Sequence, residues 1–182
     1  MDHLEAVVEL KNIISEKTIN KLIPLLDQKC AKQLSVGNDI KDLSIRNVMG
    51  YHLKNNIPTD IFYFNFINNE IKRAYSLYKT KFPLLETTLI NQIDLLKYSK
   101  GGKYDTHVDA NKNMSRKISI IINLNENYEG GDLVFTDQKG NIIKKIKLGT
   151  GSVVFFPSNF MYPHSIEPIR KGIRYSIVAW LQ

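Results

Sequence analysis

Residues 116–125 read RKISIIINLN, and side chains of two kinds alternate along them. The residues at even-numbered positions are all aliphatic: Ile118, Ile120, Ile122 and Leu124. Those at the odd-numbered positions between them are mixed: Ser119, Ile121 and Asn123. Successive side chains of a strand point to opposite faces, so this period of two predicts a strand with two distinct faces. We therefore expect a sheet at the centre of the fold.

Similar short segments recur through the second half of the chain. They lie near residues 88–98, 131–136, 141–147, 152–157, 160–167 and 173–181, and they are rich in Ile, Val, Phe and Tyr. Glycines separate them, among them Gly101-Gly102, Gly130-Gly131 and Gly149–Gly151. Many short strands joined by glycine turns favour an antiparallel sandwich, barrel or jelly roll.

The first half of the chain is mainly helical in pattern. Ser15 is a suitable N-cap for a helix over 16–29, whose apolar residues are Ile19, Leu22, Ile23 and Leu26. Pro58 suits the first turn of a long helix to about residue 80, with one face formed by Ile61, Phe64, Ile67, Ile71, Ala74 and Tyr78. Strands are predicted over 7–14 and 44–53. The predicted fold class is α+β, with a β-rich core and helices packed outside one sheet.

The composition of the 182 residues is that of a soluble globular domain, with 24% charged and 43% hydrophobic residues. Apolar runs fall far short of the roughly 20 residues that a membrane-spanning helix needs, and no signal peptide is expected. A single cysteine, Cys30, fits a reducing compartment and hence a cytoplasmic protein. The net charge of +7 comes mainly from scattered lysines, so neither a nucleic-acid nor a membrane partner is expected.

Two of the four histidines stand in a pattern typical of a metal site. His107 precedes Asp109 by two positions, and such residues project to the same side of an extended segment. His-x-Asp alone is a weak motif. With His164, however, it matches the two-histidine, one-carboxylate triad of non-haem Fe(II) oxygenases. If the residues between His164 and Arg174 form a hairpin loop, antiparallel pairing places the Arg174 guanidinium beside His164, where it suits a carboxylate ligand.

Further motifs accompany these residues in order along 88–182. They are Leu96-Lys97-Tyr98, Tyr104-Asp105-Thr106-His107-Val108-Asp109, Tyr128-Glu129-Gly130-Gly131-Asp132, Gly151-Ser152-Val153-Val154-Phe155-Phe156, Tyr162-Pro163-His164 and Gly172-Ile173-Arg174. In order and spacing the set resembles the Fe(II)- and 2-oxoglutarate-dependent dioxygenases, and among them the prolyl 4-hydroxylase-like branch. The helical half of the chain resembles this family only loosely.

The resemblance implies a double-stranded β-helix, or jelly roll, buttressed by the N-terminal helices. One domain, 1–182, would comprise a mainly helical support region (1–87) and a jelly-roll catalytic core (88–182). The implied Fe(II) ligands are His107, Asp109 and His164. Arg174, the fourth residue of the implied catalytic set, would pair with the distal carboxylate of 2-oxoglutarate. Tyr98 and Asn123 would be further cosubstrate contacts.

The activity implied by the resemblance is hydroxylation of a C–H bond coupled to decarboxylation of 2-oxoglutarate to succinate. Its cofactors are Fe(II), 2-oxoglutarate and O2, with ascorbate as an additional ligand. By family likeness the substrate is a prolyl residue in a peptide or protein. Three alternatives stay open: a free amino acid or other small molecule as substrate, a non-catalytic jelly-roll binding module, and a nucleic-acid demethylase. The nucleic-acid demethylase is disfavoured because that branch usually has a second functional arginine a few residues after the cosubstrate arginine, and no arginine follows Arg174 here.

Polar loops are expected around this site, since loops often carry binding residues. The segment after Asp109 is a predicted substrate lid, formed by Asn111, Lys112, Asn113 and Arg116. Residues 33–56 are predicted to supply another rim. No motif indicates an oligomeric state.

Overall fold

The computed structural model describes residues 3–35, 42–87, 90–110, 112 and 114–182. Among these residues are two α-helices, α1 (Glu16–Lys29) and α2 (Pro58–Lys81), and a short 3-10 helix at His3–Ala6. The strands are β1 (Val8–Leu10), β2 (Lys32–Gln33), β3 (Arg46–Asn47), β4 (Met49–His52), β5 (Ile90–Tyr98), β6 (Lys103–His107), β7 (Ile118–Asn123), β8 (Glu129–Gly130), β9 (Leu133–Thr136), β10 (Ile142–Ile146), β11 (Val153–Pro157), β12 (His164–Ile166), β13 (Ile169–Lys171) and β14 (Arg174–Leu181). No helix among the described residues is both long and apolar enough to cross a membrane.

The strands form two antiparallel sheets that face each other across an apolar interior. The larger sheet has seven strands in the order β1-β11-β7-β14-β5-β4-β2, and the smaller has five in the order β10-β9-β12-β6-β3. Strands β13 and β8 pair as a separate ribbon. This arrangement confirms the predicted α+β class and the double-stranded β-helix core.

Strand β7 lies inside the larger sheet and is buried on both faces. Ile120 and Ile122 belong to the apolar cluster that includes the helices, whereas Ile121 belongs to the cluster between the two sheets. Ser119 and Asn123 share the inner face with Ile121 and have no exposed surface. The alternation in the sequence therefore separates two apolar cores, with polar side chains entering the inner one.

Both predicted helices cover the outer face of the larger sheet. The Ser15 hydroxyl accepts a hydrogen bond from the Thr18 amide at 3.2 Å and caps α1 as predicted. The buried residues of α2 are Asp60, Ile67, Ile71, Ala74 and Tyr78. The prediction that Ile61 shares the buried face is wrong: it is 41% exposed and lines an open surface groove with Leu53 and Asn91.

Two predicted strands are interrupted. The segment 7–14 forms only β1 before the chain turns at Asn12, which has a φ of 55°. The segment 44–53 is divided at Val48: β3 pairs with β6 in the smaller sheet, and β4 pairs with β5 in the larger. Each half satisfies its backbone hydrogen bonds in a different sheet. The chain thus crosses between the sheets at the edge of the interior.

Candidate active site

The three predicted metal ligands meet at one end of the smaller sheet. His107 ends β6 and His164 begins β12, and the two are direct partners in the antiparallel pairing. Nε2 of His107 lies 3.6 Å from Oδ1 of Asp109, and Nε2 of His164 lies 3.6 Å from Oδ2 of the same carboxylate. All three ligand atoms lie within 4.8 Å of one another, so a single ion can contact them together. Two imidazole nitrogens and a carboxylate oxygen are the donor set that suits non-haem Fe(II).

Backbone carbonyls orient both imidazoles towards that point. The Nδ1 atom of His107 lies 2.8 Å from the Asp105 carbonyl oxygen, and that of His164 lies 3.1 Å from the Tyr162 carbonyl oxygen. A carbonyl oxygen only accepts, so each Nδ1 carries the proton and each Nε2 presents its lone pair. Such outer hydrogen bonds fix the tautomer of metal-binding histidines.

The surroundings also set the charges that metal binding requires. Burial lowers the pKa of His164 to about 4, and neighbouring His107 acts in the same direction. Burial alone would raise the pKa of Asp109, but the two histidines and the Ser119 hydroxyl hold it well below its ordinary value. Ser119 donates to Asp109 at 2.6 Å and lies 2.7 Å from the Ser158 hydroxyl. At neutral pH His164 is neutral and Asp109 ionised, as ligation needs.

Arg174 reaches the same cavity from the opposite sheet. It begins β14 in the larger sheet, whereas His164 begins β12 in the smaller one. The predicted hairpin that pairs them is wrong, because the intervening strand β13 pairs with β8 instead. Arg174 and His164 still line one cavity, since the two sheets face each other there.

The Arg174 guanidinium is buried with unsatisfied hydrogen-bond donors. The residue is 1% exposed, and neither its Nε nor its Nη2 has a hydrogen-bond partner among the described residues. Those two N–H groups point the same way on one edge of the guanidinium, which matches the two oxygens of a carboxylate. An unpaired buried charge is costly, so this site is complementary to an anionic ligand.

The cavity is small, with a volume of about 40 Å³, and is lined by both sheets. Its aliphatic wall consists of Leu96, Ile121, Ile166 and Val178. Its aromatic wall consists of Tyr98, Tyr104 and Trp180. The other lining residues are polar or charged: Arg46, His107, Asp109, His164, Arg174 and Ser176.

Of the two further predicted cosubstrate contacts, Tyr98 lies in the cavity and Asn123 does not. Tyr98 lines the cavity, and its ring centre lies 5.3 Å from the guanidinium carbon of Arg174, its partner across the strands. Asn123 does not line the cavity. Its amide donates to the carbonyl oxygens of Asn125 and Leu148, at 2.6 and 3.0 Å, so its donors are used within the fold.

The predicted lid is described only in part. Asn111 and Asn113 lie outside the described residues, and Lys112 is exposed. Arg116 stacks on the cavity residue Trp180, with its guanidinium carbon 3.6 Å from the ring centre. It thus lies next to the cavity wall without belonging to the lining.

Three residues near the site were not predicted from the sequence to have a role there. Arg46, within the predicted rim 33–56, lines the cavity, as does Tyr104. Ser119 supports Asp109, and its signal was visible as a polar residue on an apolar strand face. Tyr104 begins the motif that contains His107 and Asp109. Its spacing did not show that its ring stacks on that of His107, with 3.7 Å between the ring centres. Arg46 carries no local signal, because its position depends on the crossing between the sheets.

Known proteins are similar to this chain in fold and, more distantly, in sequence. A prolyl hydroxylase of Trichoplax adhaerens, solved with a peptide of a hypoxia inducible factor oxygen degradation domain, superposes with a TM-score of 0.80 over 99% of this chain and 86% of its own, at 16% identity. That likeness shows the fold alone. A PKHD-type hydroxylase of Idiomarina loihiensis is 22% identical over 184 residues, which cover 97% of this chain and 77% of the relative.

The sequence matches concentrate on the half that carries the site. A PKHD-type hydroxylase of Aliarcobacter butzleri is 33% identical over 96 residues, which cover 47% of this chain and 41% of the relative. This chain thus aligns with less than half the length of that protein. A profile of the 2OG-Fe(II) oxygenase superfamily matches residues 93–182, which contain the triad and Arg174. Residues 93–182 of this chain belong to the 2OG-Fe(II) oxygenase superfamily.

Proposed function

We propose that this protein is an Fe(II)- and 2-oxoglutarate-dependent hydroxylase acting on a prolyl residue of a peptide or protein. The observation that carries the proposal is the pairing of two features in one cavity. A His-Asp-His cluster suited to Fe(II) faces a buried guanidinium whose carboxylate-binding edge has no partner among the described residues. Residues of this chain can therefore bind both the metal and the anionic cosubstrate.

Each residue has a distinct role in this proposal. His107, Asp109 and His164 hold the metal, and Ser119 keeps the Asp109 carboxylate in place. Arg174 binds the distal carboxylate of 2-oxoglutarate, with Tyr98 beside it. When bound, Fe(II) and 2-oxoglutarate supply the chemistry that oxidises a C–H bond with O2. The protein contributes orientation and an apolar enclosure that limits access of water.

A prolyl substrate is supported by the cavity wall and by the solved structures of similar fold, among which are prolyl hydroxylases. Tyr104 and Trp180 present aromatic surface in the lining that also contains the triad. A pyrrolidine ring is compact and uncharged, so it packs well on such rings. The Trichoplax relative was solved with a peptide. Free proline or another small molecule is the alternative substrate, and the experiments below separate it from a peptide.

Both halves of the chain belong to the proposed enzyme domain. One domain, 1–182, combines a helical support region (1–87) with the catalytic core (88–182), since α1 and α2 cover the outer face of the sheet that carries Arg174. A cytoplasmic location is supported by the single cysteine, which is buried and forms no disulfide.

Succinate formation tests the activity. Purified protein with Fe(II), 2-oxoglutarate and O2 should release succinate, and His107→Ala should lower the rate by more than about 100-fold, because changes to residues that merely support a metal ligand already cost 10–100-fold. His52→Ala is the matched control, since His52 pairs with Asp94 away from the cavity. Succinate release that survives His107→Ala would contradict the assignment.

The substrate class is tested by mass spectrometry of proline-containing peptides and of free proline after reaction. A gain of one oxygen atom on a peptidyl proline supports the proposal. The same gain on free proline alone would replace the peptide with a small-molecule substrate. A gain on neither would contradict a prolyl substrate.

A further inference from the structure

A second guanidinium lines the cavity besides that of Arg174. Arg46 lies on β3 and enters the cavity from the smaller sheet. Its Nη1 donates to the Ser35 carbonyl oxygen at 2.8 Å, whereas its buried Nε has no hydrogen-bond partner among the described residues. The Nε–Nη2 edge, which binds carboxylates in pairs of hydrogen bonds, is therefore not used by that contact. No carboxylate of the described residues lies in an ion pair with Arg46.

Arg46 is held in place relative to the metal cluster. Its guanidinium carbon lies 4.6 Å from the ring centre of Tyr104, and that ring stacks on His107 at 3.7 Å between centres. Arg46 and Tyr104 are also partners in the pairing of β3 with β6. One aromatic ring, that of Tyr104, thus separates the guanidinium from a metal ligand.

The formal charges in the cavity indicate that Arg46 favours an anionic ligand. In the proposed complex, Asp109, a divalent metal, a 2-oxoglutarate dianion and Arg174 sum to zero. Arg46 then remains as an unbalanced positive charge in the cavity lining. A partly buried charge of this kind favours an oppositely charged ligand, and a guanidinium binds a carboxylate more strongly than a neutral acceptor.

We propose that Arg46 binds a carboxylate of the substrate, so that this enzyme selects an anionic prolyl substrate. This inference rests on the proposed function and narrows its substrate class. Two sources supply the same chemistry: the carboxylate of a free or C-terminal proline, and an acidic side chain next to an internal proline.

Binding to protein loaded with Mn(II) and 2-oxoglutarate tests the proposal, because the cosubstrate then occupies Arg174. The probes form two matched pairs: N-acetylproline against N-acetylprolinamide, and acetyl-Pro-Glu-amide against acetyl-Pro-Gln-amide. Titration calorimetry should show at least one carboxylate probe binding about tenfold or more tightly than its amide counterpart. The first pair reports a terminal carboxylate, and the second reports an acidic side chain.

Variants assign that preference to Arg46. Arg46→Gln should remove the carboxylate preference, and Arg46→Lys should retain part of it, because lysine keeps the charge without the fork of donors. Arg73→Gln is the matched control, since Arg73 is exposed on α2 and pairs with Glu70. Circular dichroism confirms that each variant is folded.

The outcomes separate this inference from the proposed function. Failure of every carboxylate probe to bind more tightly than its amide counterpart, or a preference that persists in Arg46→Gln, would overturn the role of Arg46. Succinate formation by the wild-type protein, measured separately, reports on the hydroxylase proposal and does not depend on Arg46.

Discussion

Replacing Arg174 by methionine should have opposite effects on stability and on cosubstrate binding. In the folded protein the Nε and Nη2 of Arg174 are buried without partners among the described residues. Each unsatisfied buried donor costs about 1–3 kcal/mol. Methionine removes both donors and the charge while filling much of the same apolar space. The lost contact with the Tyr98 ring offsets about 0.5–2 kcal/mol of this gain.

The net expectation for Arg174→Met is a rise of about 1–3 kcal/mol in the free energy of unfolding of the ligand-free protein. In a domain of this size, each kcal/mol raises Tm by roughly 2–4 °C. The affinity for 2-oxoglutarate should fall by about 100-fold or more, because two charge-assisted hydrogen bonds of about 1.5–3 kcal/mol each are lost.

Thermal unfolding of the metal-free protein and calorimetric titration of the Mn(II)-loaded protein with 2-oxoglutarate measure the two effects. Arg170→Met is the matched control, since Arg170 is exposed on β13, and it should change neither quantity. A Tm below that of the wild type would show that Arg174 already has a partner in the folded protein. An unchanged affinity for 2-oxoglutarate would show that the carboxylate binds elsewhere. Either result refutes the reasoning.

Two further substitutions, one of them with a matched control, test the support of the site. Ser119→Ala removes the hydroxyl that donates to Asp109, so Mn(II) affinity measured by calorimetry should fall about 10–100-fold, and an unchanged affinity would contradict the role of that hydrogen bond. Gly131→Ala and Gly140→Ala both place a side chain at a positive φ, 68° and 85°, which costs about 1–2 kcal/mol in either case. A Cβ at Gly131 would also clash with Cδ1 of Ile169 and lie 3.3 Å from Cδ of Arg174, whereas one at Gly140 would meet no atom within 4 Å. Affinity for 2-oxoglutarate should therefore fall only in Gly131→Ala, and an equal loss in both variants would count against a packing role.

Local sequence pattern predicted the elements that depend on local physics. The alternation in 116–125 identified β7 as a strand, and the Ser15 cap and Pro58 located the starts of both helices. The same alternation could not show what lies on each side of β7. Its two faces enter different apolar clusters, and this depends on the helices that cover one of them.

The errors arose where distant pairing overrides local pattern. The residues between His164 and Arg174 resemble a hairpin loop, but β13 finds its hydrogen bonds on β8. Arg46 shows the same limitation, because its place in the cavity follows from β3 joining the smaller sheet and β4 the larger. In contrast, His107 and Asp109 are two positions apart, so their proximity was predictable from the sequence, although β6 ends at His107 and Asp109 lies on the bend that follows.

In the proposed enzyme, one cavity joins a metal cluster to a carboxylate-binding arginine. Reaction under 18O2 with Fe(II) and 2-oxoglutarate tests this pairing most directly, by mass spectrometry of the succinate formed. We predict succinate that carries one 18O atom in its new carboxylate, at a rate that falls by more than about 100-fold in His164→Ala, since loss of a ligand exceeds the 10–100-fold cost of losing its support. Succinate without the label, or labelled succinate formed equally fast by His164→Ala, would contradict the assignment.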